Sequence, residues 1–422
     1  MNLLLKNATI VSKESSLNGQ IFDLLIEKGV ITKIGKNLKA EKVKTITSEN
    51  LHVSIGWFDM RALFPDPGYE LKETLDSGLN TAAAGGFTGV ATLPNTLPIR
   101  DSKTEILYAK TNVEGHLVNH FPIGAISEKL EGLNLAELFD MHQAGAIAFS
   151  DGRKTITNSN LMLRALLYTN GFNGLIINTP NNKDISQDGK VNEGIVSTKL
   201  GLKGLPALAE ELMVNRDLFL ASYTQGKLHI GPISSEKSVE LIKDAVKAGQ
   251  RVSSEVSIMN LAFTDDVLLD FDTNYKVFPP LRSSNDQKAL IKGLKDGSIQ
   301  VISSNHMPEN IENKDIEFDH AAFGVTALET FFSLYQTFVA TKLPLEAFIS
   351  AISSNPRKVL GISIPEIKEG EIVNLTLFDP SLEIVYQKEN RKSKSSNFPM
   401  FGKNLKGKVL GVINGTKSYF NS

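Results

Sequence analysis

The chain of 422 residues contains no cysteine, which excludes disulfides, thiolate metal sites and a cysteine nucleophile. Any metal must therefore be held by His, Asp, Glu or a modified Lys. An excess of either charge is also missing. Lys and Arg number 45 against 47 Asp and Glu, for a formal net charge of -2, so nothing electrostatic favours nucleic acid as a partner. No apolar run approaches the roughly 18 residues a membrane-spanning helix needs. The opening MNLLLKNATIVSKESS has too short an apolar run for a signal peptide. These absences lead us to expect a cytoplasmic protein with no membrane partner. What is present, 41% hydrophobic and 22% charged residues, is the composition of a chain that buries a large core. The length accommodates one domain of about 250 residues or more and something smaller.

Apolar runs at both ends, LLLKNATIV and FDLLIEKGVITKIG at the start and EIVNLTLFDP, LEIVYQ and LKGKVLGVINGTK near the finish, read as strands broken by polar turns. They predict a small β-sandwich composed of residues 1–51 and 365–422. Between them, over 52–364, short apolar strands alternate with helical patterns: HVSIGWFDM, TGVATLPN, FPIGAIS, AIAFSD, GLIINTP, KLHIGPIS, RVSSEVSI and IQVISSNH are the strands. Apolar residues three to four apart mark the helices, several of which stop at Gly. About eight βα units favour an α/β fold of the (β/α)8 barrel type, a TIM barrel, with an open doubly wound sheet as the alternative.

In such a barrel, function sits at the C-terminal ends of the strands. The titratable residues there are Asp59, Arg61, Asp151, Glu255 and His306, fewer than a metal hydrolase converges on its centre. The Gly85-Gly86 pair of TAAAGGFTGV ends a helix, so it is a helix stop and not a phosphate cradle. The basic run KENRKSKSS, 388–396, reads as an exposed loop.

The stretches FDMRALFPDPGYELKETLDSGLNTAAAGGFTGVATLPNTLPIRDS, GAIAFSDG, KLHIGPISSEKSVELIKDAVKAG, KVFPPLRS, SSNHMP, AAFGVTALET, SSNPRKVLGI and NLTLFDP occur in an order and spacing that resembles the dihydroorotases of the amidohydrolase superfamily. The resemblance covers almost the whole chain and implies a (β/α)8 barrel with a terminal β-sandwich. It also implies zinc, held by a His-x-His pair after the first strand, further imidazoles, and an Asp on the last strand that is both ligand and base. On those positions this chain carries Arg61 and Leu63, then Asn178, Pro232 and Asn305. The substrate-holding Arg falls on Pro65, and the Asn of another substrate block on Phe278. Asn95, Asp151 and His306 match, although the loop around Asp151 is one residue shorter than the family's, and strand four offers no Lys for a carboxylated bridge.

The resemblance therefore implies a divergent member with no confident catalytic residue and no zinc: a pseudoenzyme of pyrimidine biosynthesis that serves as an assembly or regulatory partner of aspartate transcarbamoylase or of an active dihydroorotase, and forms a homodimer. The alternative is an active cyclic-amide hydrolase with a rebuilt site. The expected pocket comprises Arg61, Asn95, Asp151, Asn178, Phe278, His306 and His320. For Arg61 two readings stay open: a guanidinium paired with Asp151 in place of the metal, or a solvated loop residue. His116 and His120, an i, i+4 pair, are read as surface or loop imidazoles across a helix-to-strand junction, and His142 as a helix-surface residue. His306 is either a proton donor or hydrogen-bonded into the barrel mouth, and the lack of a partner base favours the second.

Overall fold

The computed structural model describes residues 2–421. The two ends of the chain meet in one eight-stranded sheet. Its strand Asn2–Ile10 lies antiparallel to Ile21–Glu27. The long strand Asn374–Val385 pairs antiparallel with Asn404–Asn414 on one side and with His52–Ile55 on the other. LEIVYQ therefore does not form a strand of its own but continues EIVNLTLFDP past a register shift. Alternation explains the buried face: Leu3, Leu5, Leu24, Ile26, Val53, Ile55, Leu375 and Leu377 share one apolar cluster.

His52–Ile55 belongs to this sheet, and the first barrel strand, Trp57–Ala62, starts two residues later. The run HVSIGWFDM is thus two strands joined at Gly56. A Cβ there would stand 2.1 Å from Thr88 Oγ1, so only glycine lets the chain pass from sheet to barrel at this point. Arg357, buried on the last helix, donates to the Gly56 carbonyl at 2.7 Å and fixes the junction.

The barrel strands are Trp57–Ala62, Phe87–Thr92, Asn119–Pro122, Leu175–Asn178, Lys227–Ile230, Val252–Ser257 and Val301–Ser303. All their pairings are parallel. At the fourth position, within the expected strand AIAFSD, Phe149 bridges Gly124 on one side and Ile176 on the other, while Ile147 N and Ser150 N donate to the Pro122 and Gly124 carbonyls and Phe149 N to that of Leu175, so a short fourth strand links the third and fifth. Just beyond it, the Asp151 carboxylate accepts from Ile126 N and Ser127 N. A parallel bridge from Ala62 to His306 closes the ring. Closure is reinforced by Asp59, which accepts from Ser304 N at 2.9 Å and Ser304 Oγ at 2.5 Å.

The helices fall where their periodicity and caps place them. Thr74 and Ser77 form a capping box at the start of Leu75–Ala84, and Ser283 and Asp286 do so for Ser284–Asp296. Gly145 and Gly297 close their helices in the left-handed conformation. The segment GLPALAEELMV opens a much longer helix, Ala207–Thr224. Among the described residues no helix is long and apolar enough to cross a membrane.

Candidate functional site at the barrel mouth

Arg61 leaves the end of the first strand and is only 3% exposed. Its Nε donates to Asn305 Oδ1 at 3.2 Å and its Nη1 to the Gly231 carbonyl at 3.3 Å. Its Nη2 donates to the Gly152 carbonyl at 3.1 Å and to Thr179 Oγ1 at 2.7 Å. Glu255 Oε1 lies 3.5 Å from Nη1. One guanidinium thus ties together residues that follow the fourth, fifth, sixth and eighth strand positions and faces a carboxylate on the seventh. Both readings of Arg61 need correction. It is not solvated, and its ionic partner is Glu255 instead of Asp151. Burial lowers the Arg61 pKa and raises that of Glu255 to about 7, against their mutual attraction.

Asp151 is occupied elsewhere. Its carboxylate accepts from Ile126 N and Ser127 N, each at 2.9 Å, and from the Ser127 hydroxyl, while burial pushes its pKa up. Asn95 binds the same loop, donating to the Asp151 carbonyl at 3.4 Å and accepting from Arg153 N at 3.3 Å. Gly152 sits at φ +63, where an added Cβ would stand 1.9 Å from Asn95 Oδ1. Asn178 turns its amide to Asp217 Oδ2 at 2.6 Å and accepts from Ile156 N at 3.2 Å. Leu63 is buried among Phe58, Met60, Ala91 and Val301. Pro232 follows Gly231 after the sixth strand and carries no donor.

Asn305 adopts a left-handed φ of 48°, which Asn tolerates, and besides accepting from Arg61 donates to the Phe278 carbonyl at 2.9 Å. His306 is wholly buried. Its Nε2 lies 3.6 Å from Glu73 Oε2, so it does have a carboxylate neighbour, one that the sequence did not reveal. Burial works to raise the Glu73 pKa, but His306 and the hydroxyls of Ser393 and Ser77 hold it below its ordinary value. Ser393 belongs to the basic run 388–396. That run is therefore not simply an exposed loop, since Ser393 and Ser395 are buried against the rim.

Arg61, Asn305 and Phe278 line a pocket of about 190 Å³ together with Arg153, Asn181 and Phe323. The rings of Phe278 and Phe323 meet edge to face at 6.0 Å. Arg153 is held by Glu309 Oε1 at 3.2 Å and by the Phe323 carbonyl at 3.1 Å. His320 is exposed on the loop beyond Phe318 and takes no part in lining this pocket. The imidazoles of His116 and His120 do not converge. His120 contacts Thr92 Oγ1 at 2.7 Å and the Ala109 carbonyl at 3.0 Å, and His116 contacts Asn80 Oδ1 at 3.3 Å. His142 is exposed and its ring lies 4.8 Å from that of Phe172. His229 is buried in the barrel, bonded to Ser253 Oγ at 2.8 Å, and burial lowers its pKa to about 3. Among the described residues no group of three or more His, Cys, Asp or Glu side chains is placed to hold a metal ion.

Thr179, Glu255, Glu73 and Arg153 complete the site, and none of them was singled out as a pocket residue from sequence. Glu255 carried a usable signal, a lone acid inside the otherwise uncharged strand Val252–Ser257, which burial would force to find a partner.

The closed parallel barrel with a sheet built from both termini is the α/β fold of the amidohydrolases. Solved structures of an L-hydantoinase from Arthrobacter aurescens (TM-score 0.86, 22% identity, 99% of this chain and 95% of that one) and of a D-hydantoinase (TM-score 0.83, 21% identity, 100% and 95%) share it. A family model described as dihydro-orotase-like matches residues 52–238. Proteins named dihydroorotase from Syntrophus aciditrophicus (40% identical, 98% of each chain) and Geobacter metallireducens (38%, 99% of each) align along the full length. The chain belongs to the dihydroorotase family.

Proposed function

We propose that this chain serves pyrimidine biosynthesis as a metal-free member of its family, an assembly or regulatory partner of aspartate transcarbamoylase or of a fully liganded dihydroorotase. The observation that carries this reading is the engagement of Arg61 with Asn305, Gly231, Gly152 and Thr179, which fills the converging strand ends with a permanent cation. The remaining donors do not fit zinc. Leu63 has no lone pair, the Asn178 amide is committed to Asp217 and Ile156, and the Asp151 carboxylate is engaged by Ile126 N, Ser127 N and the Ser127 hydroxyl. Asn305, on the position of the family's base, is an amide and cannot take a proton from water.

A second reading, an active cyclic-amide hydrolase acting on dihydroorotate, is favoured by two observations. Identity to proteins named dihydroorotase reaches 38–40% over nearly the whole chain. Glu255 is also a carboxyl whose pKa near 7 suits a general base. Zinc analysis of the purified protein together with a dihydroorotate hydrolysis assay separates the two. The metal-free reading expects neither stoichiometric zinc nor turnover, and either one overturns it. Failure to bind aspartate transcarbamoylase or an active dihydroorotase at micromolar concentration would remove the assembly role.

A further inference from the structure

We propose that the cleft beneath the loop joining Asn374–Val385 to Asn404–Asn414 is a docking site for an extended, acidic segment of a partner protein. These two strands pair directly, with Val385 opposite Asn404. About two to five residues would close such a hairpin, yet residues 386–403 intervene. A long, ordered excursion that strand pairing does not require points to a binding role.

The loop is fixed at its neck and along its length. Gly402 N donates to the Tyr386 carbonyl at 3.0 Å, and the rings of Tyr386 and Phe401 stack at 5.2 Å. Ser395 Oγ donates to the Lys72 carbonyl at 2.8 Å, and Asn397 Oδ1 accepts from Glu309 N at 3.1 Å. Ser393 and Ser395 are buried against the rim, while Lys392 and Lys394 beside them are exposed. The cations are therefore held in place. Residues 386–408 carry seven Lys and Arg against one acid, Glu389, a net +6 in a chain of net -2, so the remainder carries -8. Lys388, Lys392, Lys403 and Lys406 are exposed and form no ion pair among the described residues.

Between the loop and the sheet lies a cleft of about 530 Å³, lined by Glu389, Arg391 and Lys392 of the loop and by Glu329 and Tyr419. Arg391 gives a second, independent sign of a ligand. Its Nη1 donates to the Lys388 carbonyl at 2.7 Å, but its Nε is buried without a partner. An open, buried, charged donor is costly, and an incoming carboxylate oxygen removes that cost.

The cleft also selects its occupant. Because Glu329 and Glu389 line it, a compact polyanion meets repulsion there, whereas an extended polypeptide can set carboxylates on the cations and N–H groups toward the acids. A flat bilayer cannot enter a concave cleft. Nucleic acid would stack bases on open aromatic faces, but Tyr386, Phe398 and Phe401 pack on one another, and the -8 of the remaining chain opposes a long polyanion. Which protein supplies the segment rests on the assembly role proposed above; the site itself does not.

The test uses the full-length chain and a fluorescein-labelled peptide of alternating Glu and Ser, about sixteen residues long, followed by fluorescence anisotropy. Saturable binding is expected, weakened about tenfold or more between about 50 and 300 mM NaCl. Arg391→Ala, and separately Lys392→Glu with Lys406→Glu, are each expected to weaken it about tenfold with unchanged circular dichroism. Lys288→Glu with Lys292→Glu makes the same change of charge on the outer helix Ser284–Asp296 and is expected to leave affinity within about twofold. No binding by the unmodified chain, or an equal loss from this control pair, overturns the site. Three further probes bear on the occupant: tripolyphosphate, an oligothymidylate, and vesicles of phosphatidylcholine with phosphatidylserine. Any of them that competes with the labelled peptide better than the unlabelled peptide does, at equal charge, overturns the acidic polypeptide. Peptide binding without binding of aspartate transcarbamoylase supports the site while removing the assembly role.

Discussion

Arg61 and Glu255 face each other across the barrel mouth with 3.5 Å between Nη1 and Oε1, and neither is more than 3% exposed. The pair sits where strand ends converge, and its cation serves two further backbone carbonyls. Taking both charges out of water is costly, so the arrangement holds only as long as every partner is present.

Replacing Arg61 by Leu strands the Glu255 carboxyl and leaves the Gly152 and Gly231 carbonyls without this donor. We expect a loss of about 3–5 kcal/mol in urea denaturation. Adding Glu255→Gln to that variant should recover part of the loss, because the unpaired charge disappears with it. A cost below about 1 kcal/mol for Arg61→Leu would show that the guanidinium does not tie the strand ends.

Glu255 also predicts a pH dependence. Its pKa rises on folding from an ordinary 4.5 to about 7, so between these values the folded chain binds the proton that the unfolded chain releases. The contribution is fully present below pH 4.5 and is lost as pH rises to about 7, by up to about 3 kcal/mol. Acids held low by hydrogen bonds, such as Asp379, slope the opposite way, but below the ordinary 3.8 of an aspartate and so outside this range. The readout is therefore the stability difference between the unmodified chain and Glu255→Gln, measured from pH 4.5 to 7.5. A flat difference would contradict the raised pKa.

Chelation should leave the fold untouched. No group of three or more His, Cys, Asp or Glu side chains among the described residues is placed to hold a metal, so dialysis against EDTA is expected to leave the melting temperature unchanged. A clear fall, reversed by added zinc, would reveal a structural metal.

Glu73 anchors the segment around residue 393 to the barrel rim. It accepts from the Ser393 hydroxyl and, at 3.1 Å, from Lys394 N. Glu73→Ala should cost about 1–3 kcal/mol and speed tryptic cleavage at Arg391, Lys392 and Lys394. Glu73→Gln, which keeps an acceptor, should lie between the two. Cleavage at the unmodified rate in Glu73→Ala would place the anchor elsewhere, for instance at Asn397, whose amide donates to the Met307 carbonyl.

The sequence by itself determined the strand and helix order, the composite terminal sheet and the family, because these rest on local periodicity, cap residues and ordered motif blocks. It also showed that Arg61, Leu63, Asn178, Pro232 and Asn305 stand at the strand ends. What Arg61 does there was decided only by tertiary structure. Asp151 looked available by position, yet the fold gives its carboxylate to Ile126 and Ser127, while Glu255, 194 residues away in the chain, faces the guanidinium. The carboxylate beside His306 and the buried serines of the basic run were hidden for the same reason. Pairing between distant segments depends on which side chains the closed barrel points inward and on which burial forces to find a partner, and no local pattern records either.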